Sequence, residues 1–126
     1  MRVGGINIMP ADKSLSTVRL RIDSVGMVLE AYLATDQTID GWNLAARSPL
    51  QRYHEGGVWF GTLSTKLHYK GSVIPAGSSI VVERDRTITE FSTPVPYKAS
   101  TGAMFEPGRI GLKLNGTPKF WQPAGH

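Results

Sequence analysis

From Thr17 to Val25 the chain alternates: Val18, Leu20 and Ile22 fall on one side, Arg19, Arg21 and Asp23 on the other. A period of two predicts a half-buried strand, which Gly26 interrupts. Met27 to Ala34 then reads either as a strand continued beyond a bulge or as the start of a helix. Val58 to Lys70 is the longest strand candidate, with Leu63, Thr65, Leu67 and Tyr69 on one side and Gly71 as its stop. Pro75-Ala76-Gly77 fits a type II turn, because proline sets the first central residue and glycine follows. Ser79 to Phe91 resumes strand character, as one long strand or as a hairpin around Asp85-Arg86. Arg109 to Leu114 alternates again, and Asn115-Gly116 is the strongest hairpin signal in the chain.

The pattern changes over about 36–55. Thr35 or Asp36 can cap a helix in which Ile39, Trp42 and Ala46 share a face. Ser48-Pro49-Leu50-Gln51 reads as a second helix start, with Ser48 as N-cap, Pro49 in the first turn and Gln51 closing a capping box. Gly56-Gly57 ends it. Thr93 to Gly108 reads as a loop rich in Pro, Ser and Gly. The expected fold is therefore α+β and mostly β: an antiparallel sheet, partial barrel or sandwich with a short helical insert at about 36–55. No internal repeat is read. The expected organisation is a flexible N-terminal arm over 1–14, a single domain over 15–116 and a C-terminal tail over 117–126.

Composition narrows the class. A chain of 126 residues suits one domain, and 14 Gly with 8 Pro supply many turns. A hydrophobic fraction of 40% argues against global disorder. The absence of cysteine removes disulfides, thiolate metal sites and a cysteine nucleophile. No apolar run is long enough for a transmembrane helix, and Met1-Arg2-Val3-Gly4-Gly5 lacks the apolar run of a signal peptide. A cytoplasmic or virion-associated location is the expectation.

Candidate chemistry is sparse. His54, His68 and His126 have no metal-ligand spacing, and no phosphate loop or nucleophile elbow occurs. No cofactor, metal or catalytic residue is expected. His54 beside Glu55 could pair a general base with its orienter, with His68 joining them at a barrel mouth. That enzyme or ligand-binding reading is the first alternative.

The net charge of +4 lies wholly in residues 64–126, which hold eight basic and four acidic side chains. Lys66, Lys70, Arg84, Arg86, Lys113 and Lys119 are the candidate contacts for nucleoprotein, nucleic acid or anionic membrane. Lys66 to Lys70 and Lys119-Phe120-Trp121 interleave cations with aromatics, so a single-stranded nucleic-acid module is the second alternative. Phe120 and Trp121, with Ile6 and Ile8, place large apolar side chains near both ends and are the candidate assembly anchors.

The leading expectation is a non-enzymatic, self-associating structural protein of viral or phage type, such as a coat, matrix or accessory virion protein. The order of strand (Val18–Val25), helical segment with Trp42 and long strands (Val58–Phe91) loosely resembles matrix cores of negative-strand RNA viruses. Pro94-Val95-Pro96-Tyr97 departs from the Pro-Pro-x-Tyr motif that such proteins often carry, and no site residue transfers.

Overall fold

A computed structural model describes residues 2–9 and 20–124. Sixteen short strands are present among them, and no helix. They are β1 (Arg2–Val3), β2 (Ile6–Asn7), β3 (Arg21–Ile22), β4 (Val28–Tyr32), β5 (Gln37–Ile39), β6 (Trp42–Leu44), β7 (Pro49–Arg52) and β8 (Val58–Thr62). Then follow β9 (Leu67–Tyr69), β10 (Ser72–Ile74), β11 (Ser79–Val82), β12 (Ile88–Thr93), β13 (Tyr97–Lys98), β14 (Met104–Phe105), β15 (Gly108–Leu112) and β16 (Pro118–Pro123).

Eight strands form one antiparallel sheet in the order β16-β15-β12-β11-β8-β7-β4-β3. The other eight pair as four small hairpins: β1-β2, β5-β6, β9-β10 and β13-β14. The sheet is a meander whose connections alternate. At one end, tight turns join β3 to β4, β7 to β8, β11 to β12 and β15 to β16. At the other end, each of the last three connections carries a small hairpin. The core lies between the inner face of the sheet and these hairpins, where Ile6, Leu44, Ile74 and Tyr97 meet Leu50, Ile80, Phe91 and Ile110.

The same unit recurs every thirty residues. The tight turns close with matching bonds, in which Gly26 N–H donates to Asp23 O, Gly56 to Tyr53, Arg86 to Glu83 and Gly116 to Lys113. All four donors have positive φ. Each turn is followed by a bulge that leaves one residue of the second strand unpaired: Leu29, Trp59, Thr89 and Lys119. The small hairpins repeat too. Asp40-Gly41 and Lys70-Gly71 both have positive φ at both positions, the signature of a type I′ turn, as do Gly4-Gly5. Ile8 bridges Leu33 as Leu44 bridges Leu63. Gly61 serves this packing, since a Cβ there would stand 2.9 Å from Leu44 Cδ2.

Several expectations are corrected by this architecture. The fold is all-β, and the helical insert at 36–55 is instead the hairpin β5-β6 followed by β7 and the next tight turn. Ile39 and Trp42 do share a face, but as partners directly across a two-residue turn. That geometry places residues i and i+3 together just as a helix does. Ser48 does not cap a helix; its hydroxyl donates to Ala45 O at 2.6 Å. Pro49 lies in β7 opposite Tyr32. The expectation of no internal repeat fails as well, and with the helix gone the resemblance to matrix cores lapses.

Other expectations find their places. Met27–Ala34 contains strand β4, Ser79–Phe91 is a hairpin around Asp85-Arg86, and Asn115-Gly116 turns β15 into β16. Part of the predicted loop over 93–108 forms the hairpin β13-β14. Of the first predicted strand, Val18 and Arg19 lie outside the described residues, as do positions 10–14 of the arm and His126.

Two of the small hairpins, β5-β6 and β9-β10, are clamped at their tips by side chains. Arg52 of β7 grips the Asp40 carboxylate with two bonds of 3.0 Å. Arg86 Nη1 donates to Asp40 O at 2.7 Å, and its guanidinium lies 4.7 Å from the Trp42 ring. One repeat further on, Lys70 Nζ donates to Leu114 O. Arg86 occupies a left-handed position that glycine fills in the other three turns, at a cost of roughly 1 kcal/mol. The clamp on Asp40 and Trp42 is what that residue provides in return.

Candidate functional site

The positions that make the repeat also show where it is unfinished. Leu50, Ile80 and Ile110 occupy one place in successive units, and each is 0% exposed. Leu20 holds the same place in the first unit and is 39% exposed. On the following strands Ala31, Gly61, Phe91 and Trp121 are equivalent. Phe91 is 1% exposed, whereas Trp121 on the last strand is 38% exposed. Apolar positions that neighbouring strands bury in the middle of the sheet are thus open at its two edges. Ile22 is exposed at the β3 edge in the same way, while its apolar equivalents Val82 and Leu112 are buried and Arg52 takes the place in the second unit.

Strand β16 is well seated on its inner side. It pairs with β15 along its length, with Phe120 opposite Gly111 and Trp121 opposite Ile110. The Phe120 ring lies over Gly111 and leaves no room there for a Cβ. Arg109 covers the ring at 5.3 Å and makes an ion pair with Glu90 at 3.5 Å. Trp121 Nε1 donates to Glu106 O at 3.0 Å. The outer edge of β16 has no strand partner among the described residues. The outer edge of β3 is open in the same sense, and its Arg21 reaches Glu30 at 3.6 Å.

Of the candidate anchors, Phe120 and Trp121 therefore stand on an open edge. Ile6 and Ile8 are buried in the chain's own core, through β2 and its bridge to Leu33. The stretch expected as a tail contributes the edge strand itself.

The candidate anionic contacts divide. Lys70, Arg84, Arg86 and Lys113 gather at the end of the sheet that carries the tight turns. There Arg84 stacks 4.3 Å from the Tyr53 ring and pairs with Glu55, while Lys70 and Arg86 clamp hairpins. Lys66 sits beyond the opposite end, in the bend after β8, and Lys119 is the bulged residue of β16. Lys66, Lys113 and Lys119 carry no ion pair among the described residues.

His54 and Glu55 occupy the exposed tip of the β7–β8 turn, and His68 is exposed on β9. The hydrogen bond from Arg84 holds the Glu55 carboxyl below the usual carboxylate range and raises the guanidinium in turn. Burial, with Glu83 nearby, pushes the Tyr53 phenol up; its hydroxyl donates to Val82 O at 2.7 Å. A bond from Thr87 holds Asp85 down. The shifts at Glu55, Arg84 and Tyr53 belong to contacts between adjacent turns, and that of Asp85 arises within its own turn.

A cleft of about 640 Å³ opens between hairpins β9-β10 and β13-β14, lined by Gly71, Ser72, Val73, Pro75, Pro96 and residues 98–102. Its only ionisable lining side chain is Lys98. His54, Glu55 and His68 do not line it. No group of three His, Cys, Asp or Glu side chains placed to hold a metal occurs among the described residues, and no helix there is long and apolar enough to cross a membrane.

The chain matches no family model, no curated protein and no solved structure. The two open edges are the most distinctive feature of its geometry. The sequence names Phe120 and Trp121 as candidate anchors, and the structure places both on an edge strand; the β3 edge is not among those candidates. The signal for it was the thirty-residue spacing of Leu20, Leu50, Ile80 and Ile110.

Proposed function

We propose that this chain is a non-enzymatic structural protein that works by self-association through the edges of its repeat sheet. The observation that carries the reading is the contrast between Leu50, Ile80 and Ile110, all sealed, and Leu20 and Trp121, both open. Repeat proteins stay soluble as single units when terminal repeats present polar outer faces. Here the terminal positions keep the apolar residue types of the interior ones. Exposed strand edges are templates for pairing with another chain, and both edges here carry apolar neighbours to bury.

The engagement of Arg84 with Glu55, and of Arg86 and Lys70 with the hairpins, supports a structural role for the basic turns. The test is mass in solution by sedimentation velocity, across a hundredfold range of concentration at low and high salt. The expected result is an average mass that rises with concentration and persists at high salt, because the driving force is apolar burial and backbone pairing. A single species of one chain at every concentration would refute the reading.

A further inference from the structure

The repeat specifies how two copies meet. We infer that β16 of one copy pairs antiparallel with β3 of a second copy, in the register that joins successive units within the chain, so that assembly is head-to-tail. This rests on the self-association proposed above and fixes its geometry.

The register follows from pairs already formed. Glu30 faces Gln51, Phe60 faces Val81 and Glu90 faces Gly111, one pair repeated at thirty-residue steps. The next member of that series is Phe120, and its partner belongs at the position that Arg21 holds in the first unit. The neighbouring series pairs Ala31 with Leu50, Gly61 with Ile80 and Phe91 with Ile110, so Trp121 faces Leu20 of the second copy. Leu20 and Trp121, two of the core positions left open in the chain, thus cover each other. Inside the new junction Trp121 and Leu20 extend the buried row, while Arg21 comes beside Phe120 on the other face and keeps Glu30 on its far flank.

The prolines of β16 fit this register. Pro118 is equivalent to Val28, Val58 and Ile88, which pair with the preceding strand and not with the following one. Pro123 stands where Thr93 faces Gly108, at the last place of the pairing window. Phe120 to Gln122 keep their backbone N–H groups across the window between them. The contact joins two different surfaces, so it propagates until a ring closes or a filament forms.

The cysteine-free chain allows a direct test by crosslinking. Opposed residues of an antiparallel pair have Cα atoms about 4.5–5.5 Å apart, within disulfide range. Full-length Arg21→Cys and Phe120→Cys chains are mixed and mildly oxidised, and the products are separated by mass and mapped by peptide analysis. The expected product is the mixed 21–120 dimer, in at least tenfold excess over either self-linked dimer. Leu20→Cys with Trp121→Cys repeats the result on the inner face and guards against damage by either substitution. Leu20→Cys with Phe120→Cys, on opposite faces, should not link.

A dominant 120–120 dimer would overturn the head-to-tail register in favour of a symmetric edge pair. Absence of all links in a chain whose mass still rises with concentration would overturn the edge junction while leaving self-association standing. A chain that stays single at every concentration removes both.

Discussion

Phe91→Ala is expected to destabilise the chain by about 3–5 kcal/mol, the range for removing a buried phenylalanine from a packed core. Phe91 sits midway along β12, opposite Ile80 on one side and Ile110 on the other. Its ring meets Tyr97 edge-on, with centroids 4.9 Å apart and planes at 76°. Tyr97 in turn donates its hydroxyl to Ser72 Oγ at 2.8 Å, and Ser72 donates to Tyr69 O. One ring therefore supports the sheet and, through Tyr97, both hairpins β13-β14 and β9-β10. The loss would appear as a lower urea midpoint with little change in slope. Phe91→Leu, which keeps more of the volume but loses the ring contact with Tyr97, should cost less than Phe91→Ala. An alanine variant with an unchanged midpoint would show that the hairpins do not pack on the sheet as described.

The second large effect concerns assembly. Trp121→Lys and Leu20→Lys each place an ammonium group in the row that the junction would seal. Each is expected to weaken association by at least about 2 kcal/mol, roughly thirtyfold in dissociation constant, as for other interfacial anchors. Both positions are over one-third exposed in the single chain, so the fold should survive, as far-UV circular dichroism would show. The mixture is more telling than either variant alone. Trp121→Lys retains a sound β3 edge and Leu20→Lys a sound β16 edge, so together they should form a one-to-one dimer that grows no further. A mixture that stays monomeric, or variants that assemble like the parent chain, would count against the two-edge account.

Part of this was legible in the sequence because strand and turn chemistry are local. The hairpin at Asp85-Arg86 and the turn at Asn115-Gly116 each depend on a few adjacent residues. Of the half-buried strand expected over 17–25, by contrast, only Arg21–Ile22 is strand among the described residues, and it is exposed. The stretch from Thr35 to Gln51 misled because a type I′ hairpin sets Ile39 against Trp42 at a helix-like spacing of three. Ser48-Pro49-Leu50-Gln51 matched a capping box that tertiary pairing of β7 with β4 and β8 overrides.

The repeat itself was hidden because its identity is carried by backbone conformation more than by residue type. Gly26, Gly56 and Gly116 mark the left-handed turn position, but Arg86 takes the fourth, trading glycine's freedom for its clamp on Asp40. Leu50, Ile80 and Ile110 conserve only the apolar character of the place. The fourth small hairpin replaces the two-residue turn with one closed by Gly102, which further blurs the period. Phe120 and Trp121 could be singled out from sequence as large apolar residues near an end. Their partner edge required knowing that Leu20 is the exposed member of an otherwise buried series.

The most direct test of the central claim is amide hydrogen exchange on the full chain at low and high protein concentration. Amides already bonded between two strands, as in β8 and β11, should exchange at the same rate in both. Amides on the free edges of β3 and β16 should gain protection as concentration rises, and they should gain it together. Equal exchange of these edge amides at both concentrations, or new protection confined to the tight turns around His54 and Arg84, would contradict it.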